Sequence, residues 1–235
     1  MLIETIAATI NRFSPGRRAS IAEQITPIVP IETRHGTIRV YCPANPVAMR
    51  AESFLKKEPE TLAWIDSLPG GVLWDVGANI GVYSLYAAKR GLRVFAFEPS
   101  PMNYAVLAKN IAINNVPIEA FCVALGDTTG LGHLNMRALQ FGRADAGLHA
   151  DEPLSVSALT YRMDDFPAPK PDFLKIDIDG AEETLVAGGH QTLGRAREVQ
   201  IELSRQTYPE VAQAMTRFGF THEVREPLRN VLFRR

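Results

Sequence analysis

The sequence predicts an α/β fold on a doubly wound, mostly parallel sheet, and three observations predict it. From Val72 onward, short apolar runs alternate with helical periodicity, the pattern that covers both faces of a parallel sheet with helices. The run Asp75-Val-Gly77-Ala78-Asn79-Ile-Gly81 lies where the apolar strand Val72-Leu-Trp74 has to turn into a helix. Its glycines allow a sharp turn that brings N–H groups against a ligand. Acids then recur at successive strand ends, at Glu98, Asp127, Asp177 and Glu202. Strand ends form the carboxyl edge, where open α/β sheets bind ligands.

The 235 residues, 46% hydrophobic and 22% charged, suffice for one α/β domain with additions and leave no room for a second full domain. A net charge of -1 gives no global basic field for nucleic acid. Cys42 and Cys122 fall in expected strands without metal-type spacing, which predicts neither a disulfide framework nor a zinc site and suits a reducing cytoplasm. The opening Met1 to Ile10 is apolar, but Glu4 and the lack of a basic leader make it an amphipathic helix rather than a signal peptide. No apolar run approaches the roughly 20 residues that a membrane span requires.

Residues 1–70 read as an N-terminal extension and 71–235 as the ligand-binding domain. A helix near 2–12 stops at Ser14-Pro15-Gly16, and Ile31 to Val40 alternates about His35-Gly36 as a hairpin with His35 in its turn. Glu58-Pro59-Glu60-Thr61 opens a helix with Leu62, Ile65 and Leu68 on one face, ended by Pro69-Gly70-Gly71. The helix after the glycine turn, 80–90, carries Val82, Leu85 and Ala88 and stops at Gly91. Strand Arg93–Phe97 delivers Glu98. Ser100 and Pro101 then open a helix expected to bury Tyr104, Leu107, Ala108 and Ile111.

A third strand, Ile118 to Ala124, is expected to end at Leu125-Gly126-Asp127. Residues 128–160 break the rhythm. Gly142, Gly147 and Arg143-Ala-Asp145 predict a loop between short strand-like pieces, either a lid over the ligand edge or a plain surface hairpin, and His133 and His149 fall in it. In the fourth strand, Asp172 to Asp179, alternation puts Lys175, Asp177 and Asp179 on one face. Buried unpaired charges are costly, so these three pair with one another, meet a ligand, or reach solvent. Gly180-Ala-Glu182-Glu183 opens the next helix. A fifth strand ends near Glu202, a helix covers 209–218, and a hairpin about Pro227 closes the chain, with His222 as an edge residue.

The middle of the glycine turn selects the ligand. A nicotinamide cofactor lays its pyrophosphate on G-x-G-x-x-G, whereas this turn reads G-x-N-x-G after Asp75. That carboxylate repels a pyrophosphate and attracts an ammonium, directly or through water. Glu98, about twenty residues further on, is in register to hold both hydroxyls of a ribose. S-adenosylmethionine has an ammonium, a carboxylate and a ribose but no phosphate, and is the expected cofactor. The competing reading is a tight turn without a ligand.

Residues 50–205 resemble the FkbM family of S-adenosylmethionine-dependent methyltransferases. The resemblance lies in Glu58-Pro-Glu-Thr61, Asp75 to Gly81, Phe97-Glu98-Pro99-Ser100, Asn110 and Asn114, Ala124-Leu-Gly-Asp127, and Leu174-Lys-Ile-Asp177-Ile-Asp-Gly180-Ala-Glu182, in the family's order and approximate spacing. It implies a Rossmann-like seven-stranded sheet with an antiparallel C-terminal hairpin strand. It also implies O-methylation of a small-molecule, sugar or glycan-type hydroxyl. Where the family reads Asp-x-Glu-Gly, this chain has Asp179 before Gly180, which keeps the charge and loses reach.

On this resemblance Gly77, Ala78, Asn79 and Gly81 are expected at the methionine end and Asp75 at its ammonium. Glu98, with Pro99 and Ser100, is expected at the ribose and Asp127 at the adenine amino group. Asp177 or Asp179 is the expected base for a hydroxyl proton, with Lys175 beside them and Glu202 in reserve. No metal, nucleic-acid partner or membrane span is expected. The alternatives are an RNA or protein methyltransferase and a non-catalytic cofactor-binding scaffold. A nicotinamide dehydrogenase is disfavoured by the loop spacing.

Overall fold

A computed structural model describes residues 2–143, 146–147, 153–223 and 228–235. The N-terminal segment forms α1 (Leu2–Ile10), α2 (Pro15–Ile25), β1 (Ile28–Thr33), β2 (Gly36–Tyr41), α3 (Asn45–Lys57) and α4 (Pro59–Ser67). Then come β3 (Val72–Val76), α5 (Val82–Arg90), β4 (Arg93–Phe97), α6 (Pro101–Asn114) and β5 (Ile118–Phe121). The chain next enters β6 (Ala124–Gly126), β7 (Gly130–Met136), β8 (Ala146–Gly147) and β9 (Leu154–Arg162). It finishes with β10 (Phe173–Ile176), α7 (Glu182–Gly188), α8 (His190–Arg195), β11 (Glu198–Glu202), α9 (Tyr208–Arg217), β12 (Thr221–His222) and β13 (Asn230–Arg234).

The main sheet has seven strands in the order β12-β13-β11-β10-β3-β4-β5. β11, β10, β3, β4 and β5 are parallel, and β13 runs antiparallel to both its neighbours. This is the doubly wound sheet with an antiparallel closing hairpin that the sequence predicts. The chain leaves β3 outward through β4 and β5, then returns to β10 on the other side. That reversal opens a crevice at the carboxyl ends of β3 and β10.

Alternation along the buried strands feeds two cores. Leu73, Val94, Ala96 and Phe173 pack under the β1–β2 hairpin and α3 to α6, while Trp74, Val76, Phe95, Phe97, Leu174 and Ile176 face α7 to α9. Residues from Ile31 to Leu68 share the first core, whereas α1 and α2 bury no side chain.

Several elements differ from expectation. α2 and α3 were not expected. In α3 the signal was Val47, Ala51 and Phe54, spaced for one helical face and all buried. The expected third strand is two strands, because after β5 the chain leaves the main sheet and β6 pairs with β9 in a four-stranded sheet, order β6-β9-β7-β8. In that sheet β7 and β9 pair antiparallel from Gly130↔Thr160 to Met136↔Leu154, so the described part of 128–160 is a long hairpin. Asp145, His149 and Pro227 lie outside the described residues. Cys42 and Cys122 sit just beyond β2 and β5 rather than within them.

In α6, Leu107 is buried as expected, together with Val106; Tyr104 and Ile111 are half-buried and Ala108 is exposed, and the inward face also carries Asn103, Asn110 and Asn114. These amides serve as surrogate strand partners. Tyr41 N donates to Asn110 Oδ1 and Arg39 N to Asn114 Oδ1, both at 2.8 Å, while Asn114 Nδ2 donates to Arg39 O. The helix thereby satisfies the β2 edge, where buried backbone groups require partners.

Gly77 has φ +81°, and a Cβ there would run into the Asp177 carbonyl. The tip of β10 therefore packs directly on the glycine turn. Gly77→Ala combines this collision with left-handed strain and is expected to cost roughly 2–4 kcal/mol, measured by urea denaturation.

Candidate active site

A cleft of about 880 Å³, measured out to its open mouth, lies at the carboxyl edge of the main sheet. β3 contributes Val76 and the following Gly77 and Asn79, and β4 contributes Phe97 and the following Glu98 and Pro99. Asp177, Ile178 and Asp179 follow β10, and Glu202 ends β11. Val123, Leu125 and Leu134 add an apolar wall, and Arg50, Lys57 and Arg143 add positive charge.

Glu98 is 5% exposed and held by its own neighbourhood. Asn79 N donates to its Oε2 at 2.8 Å and Ser100 N to its Oε1 at 2.9 Å. A carboxylate accepts about four hydrogen bonds, which leaves acceptor capacity for a ligand's hydroxyls. Burial pushes its pKa up to about 7 against those N–H donors and the Asn103 amide.

At the other side of the cleft a network of charges meets. Lys175, 3% exposed, sits opposite Asp75 in the β3–β10 register. Its Nζ is 3.6 Å from Asp75 Oδ1, 3.4 Å from Asp177 Oδ2 and 5.0 Å from the Tyr83 ring centre. Burial pulls the Lys175 pKa down, but Asp177, Asp75, Glu58 and Glu202 outweigh it and hold the ammonium charged. Ser84 Oγ donates to Asp75 Oδ2 at 2.6 Å, while Oδ1 of this fully buried carboxylate faces the Lys175 ammonium without a hydrogen-bond partner.

Asp177 and Glu202 are hydrogen-bonded and divide the titration between them. Burial raises the Asp177 pKa, but Lys175 and the Glu202 hydrogen bond bring it below the ordinary value. Glu202 is pushed up to about 7 by burial and by Asp177, against Arg229. Of the two, Asp177 is the group that ionises first and Glu202 the one that holds a proton more readily. Arg229 also bridges Glu202 and Glu58, with Nε 3.1 Å from Glu202 Oε1 and Nη2 3.1 Å from Glu58 Oε1. Asp179 lies at the open mouth, pushed up to about 6 by partial burial, Asp177 and Glu182. Its φ of 47° is a conformation that Asp and Asn tolerate better than Glu, a physical reason for the shorter acid before Gly180.

Of the residues expected from sequence, Gly77, Asn79, Glu98, Pro99, Asp177, Asp179 and Glu202 line the cleft. Asp75 is not among the lining residues, and its carboxylate lies beside Lys175 and Ser84 behind the cleft wall. Lys175 is likewise enclosed, as the counter-charge of both acids. Ala78, Gly81 and Ser100 shape the turns without lining the cleft, and Gly81 takes φ 84° at the start of α5. Asp127 is exposed beyond β6, carried away from the cleft by the change of sheet. His133 is exposed and pairs with Ser155, His35 binds Asp66 at 2.7 Å, and His222 binds Tyr208.

Sequence reasoning missed Arg50, Lys57, Asn103 and Arg229. Arg50 and Lys57 become visible once α3 is read as a helix, since they lie seven positions apart on it. Among the described residues no group of three or more His, Cys, Asp or Glu is arranged to hold a metal ion. No described helix is long and apolar enough to cross a membrane.

The family model described as the methyltransferase FkbM domain matches residues 75–234, about two thirds of the chain. The chain belongs to the FkbM methyltransferase family. The 31-O-demethyl-FK506 methyltransferase FkbM of Streptomyces tacrolimicus is 38% identical over 69 residues, 28% of this chain and 26% of that protein. The hexuronic acid methyltransferase AglP of Haloferax volcanii is 28% identical over 137 residues, 56% of this chain and 55% of that protein. The chain thus spans little more than half the length of these curated relatives at most. The crystal structure of methyltransferase FkbM from Methylobacillus flagellatus superposes with a TM-score of 0.53 at 16% identity, covering 80% of this chain and 53% of that one.

Family membership makes S-adenosylmethionine the cofactor, and the residues present fit it. Glu98 has acceptor capacity left for hydroxyl donors, and Asn79 Oδ1 is buried without a hydrogen-bond partner beside the same cleft.

The charge network predicts two stability effects. Lys175→Met strands Asp75 and is expected to cost roughly 3–5 kcal/mol in urea denaturation at neutral pH, much of it recovered in the Asp75→Leu/Lys175→Met double variant. Glu98, Glu202 and Asp179 bind more protons folded than unfolded. Their stabilisation is full below the ordinary carboxylate pKa and lost as pH rises through about 7. The unliganded protein should therefore weaken between about pH 4 and 7, and Glu98→Gln should remove about 3 kcal/mol of that decline.

Proposed function

We propose that the protein transfers the methyl group of S-adenosylmethionine to a hydroxyl of a small molecule, sugar or glycan. The observation that carries this reading is one sheet edge holding both Glu98, braced by two N–H groups, and the proton-sharing pair Asp177 and Glu202. When bound, the cofactor supplies an activated methyl group on a sulfonium. Glu98 would accept from the ribose hydroxyls, and Phe97, Pro99, Val123 and Leu125 offer the apolar surface that a purine needs.

Asp177 is the proposed general base. It lies in the cleft and is ionised at neutral pH, and Glu202 beside it offers an onward site for a proton. Lys175 and Arg229 keep the two acids from repelling one another. Holding the acceptor oxygen in line with the methyl group supplies much of the acceleration. The named relatives are a 31-O-demethyl-FK506 methyltransferase and a hexuronic acid methyltransferase, in keeping with a hydroxylated acceptor. The net charge of -1 and the absence of a basic field favour such an acceptor over nucleic acid. Two free cysteines fit a cytoplasmic setting.

Glu98→Ala is expected to weaken S-adenosylhomocysteine binding roughly ten- to a hundredfold in calorimetry, the worth of a charged hydrogen bond. Wild-type affinity should rise between about pH 6 and 8 as Glu98 ionises, and Glu98→Gln should flatten that rise. With radiolabelled cofactor and a panel of sugars, uronic acids and polyketide alcohols, the reading expects methyl ethers as products. Asp177→Asn should lower kcat about a hundredfold or more while leaving cofactor affinity near wild type. Cofactor binding without turnover on any acceptor would favour a non-catalytic scaffold.

A further inference from the structure

Resting on the cofactor reading above, the geometry points to a zwitterion subsite at the cofactor's amino acid end, in which Arg50 binds the α-carboxylate and Asn79 Oδ1 accepts from the α-ammonium. The glycine turn itself is a poor anion receptor, because most of its N–H groups are already used. Gly77 N and Ala78 N both donate to Phe97 O at 2.9 Å, Gly81 N donates to Ala78 O, and Asn79 N serves Glu98. The first turn of α5 does not line the cleft either. A carboxylate entering here has to be met by a side chain, and the acids of the cleft would repel it.

Three cationic side chains line the cleft, and they are not equivalent. Lys57 Nζ is 3.1 Å from Glu58 and is occupied with a buried acid. Arg143 interacts with Gln140, and its backbone carbonyl is an anchor for others. Arg50 is half-buried and fixed through Nε alone, which donates to Gly142 O at 2.6 Å. Among the described residues its terminal nitrogens make no hydrogen bond. A guanidinium held by Nε keeps its two-pronged end for a carboxylate.

Arg50 and Asn79 are anchored on the same short stretch of chain. Asn79 Nδ2 donates to Arg143 O at 3.0 Å, and the opposite end of that amide, Oδ1, is the buried partnerless acceptor. Arg50 and Asn79 are thus tied to the carbonyls of consecutive residues, whose Cα atoms are about 3.8 Å apart. A cation and a partnerless acceptor are thereby anchored to one dipeptide, as a carboxylate and an ammonium are to one carbon. Asn103 stiffens the same loop, accepting from Gly142 N and donating to Arg143 O, both at 2.8 Å. Arg50 comes from α3, upstream of the residues that the family model matches.

Calorimetric titration with S-adenosylhomocysteine, which carries the amino acid tail, and with 5′-methylthioadenosine, which lacks it, tests the subsite. Arg50→Gln should weaken the first ligand roughly ten- to a hundredfold and leave the second within about twofold; Arg50→Lys should recover part of the loss. Unchanged S-adenosylhomocysteine affinity in Arg50→Gln overturns the subsite and leaves the cofactor reading standing, with Arg50 free to meet an anion on the acceptor. Equal losses for both ligands in both variants also overturn it, assigning Arg50 to holding the 142–143 loop. Failure of both ligands to bind the wild-type protein removes the cofactor reading and the subsite together.

Discussion

The buried ammonium of Lys175 is the constraint on which the site depends. One cation under the sheet edge faces Asp75 on the neighbouring strand and Asp177 beyond its own, with Glu58 and Glu202 within its field. Removing the cation leaves acids in a low-dielectric interior, where isolated charges are not tolerated. Keeping it permits an ionised Asp177 beside a Glu202 of raised proton affinity. The acid–base asymmetry of the cleft therefore originates in a residue that does not line it.

Backbone conformation does the complementary work. Gly77 lets the β10 tip sit against the turn after β3, while Asn79 and Asp179 both occupy the left-handed region at the cleft. Such conformations persist where surrounding contacts over-determine them, and here those contacts are the bonds of Asn79 to Glu98 and Arg143. The glycine turn is thus organised by the acid that follows β4 rather than by a ligand.

Much of the fold was legible because its signals are local. The apolar strands, the glycine turn, Gly91 and Gly219 as helix stops, and the closing hairpin each announce themselves within a few residues. The acids at 98, 177 and 202 were legible for the same reason, since a strand end in a parallel sheet is an edge position. What failed was whatever depends on strand neighbours. Asp75 reads as a ligand contact until Lys175 is found opposite it, and nothing nearby in the chain reveals that register. Asp127 reads as an edge residue until the chain changes sheets after Phe121. In α6, apolar periodicity pointed to Ala108, whereas the demand of the β2 backbone for partners turned the asparagine face inward.

That asparagine face also has a mechanical consequence. The free edge of a two-stranded ribbon is a template on which a foreign strand can add, and Asn110 and Asn114 block it with amides of their own chain. They also clamp the ribbon supporting α3 to the helix whose first turn carries Asn103. The two banks of the crevice, one from the upstream segment and one from the sheet, are thereby coupled as a single rigid jaw.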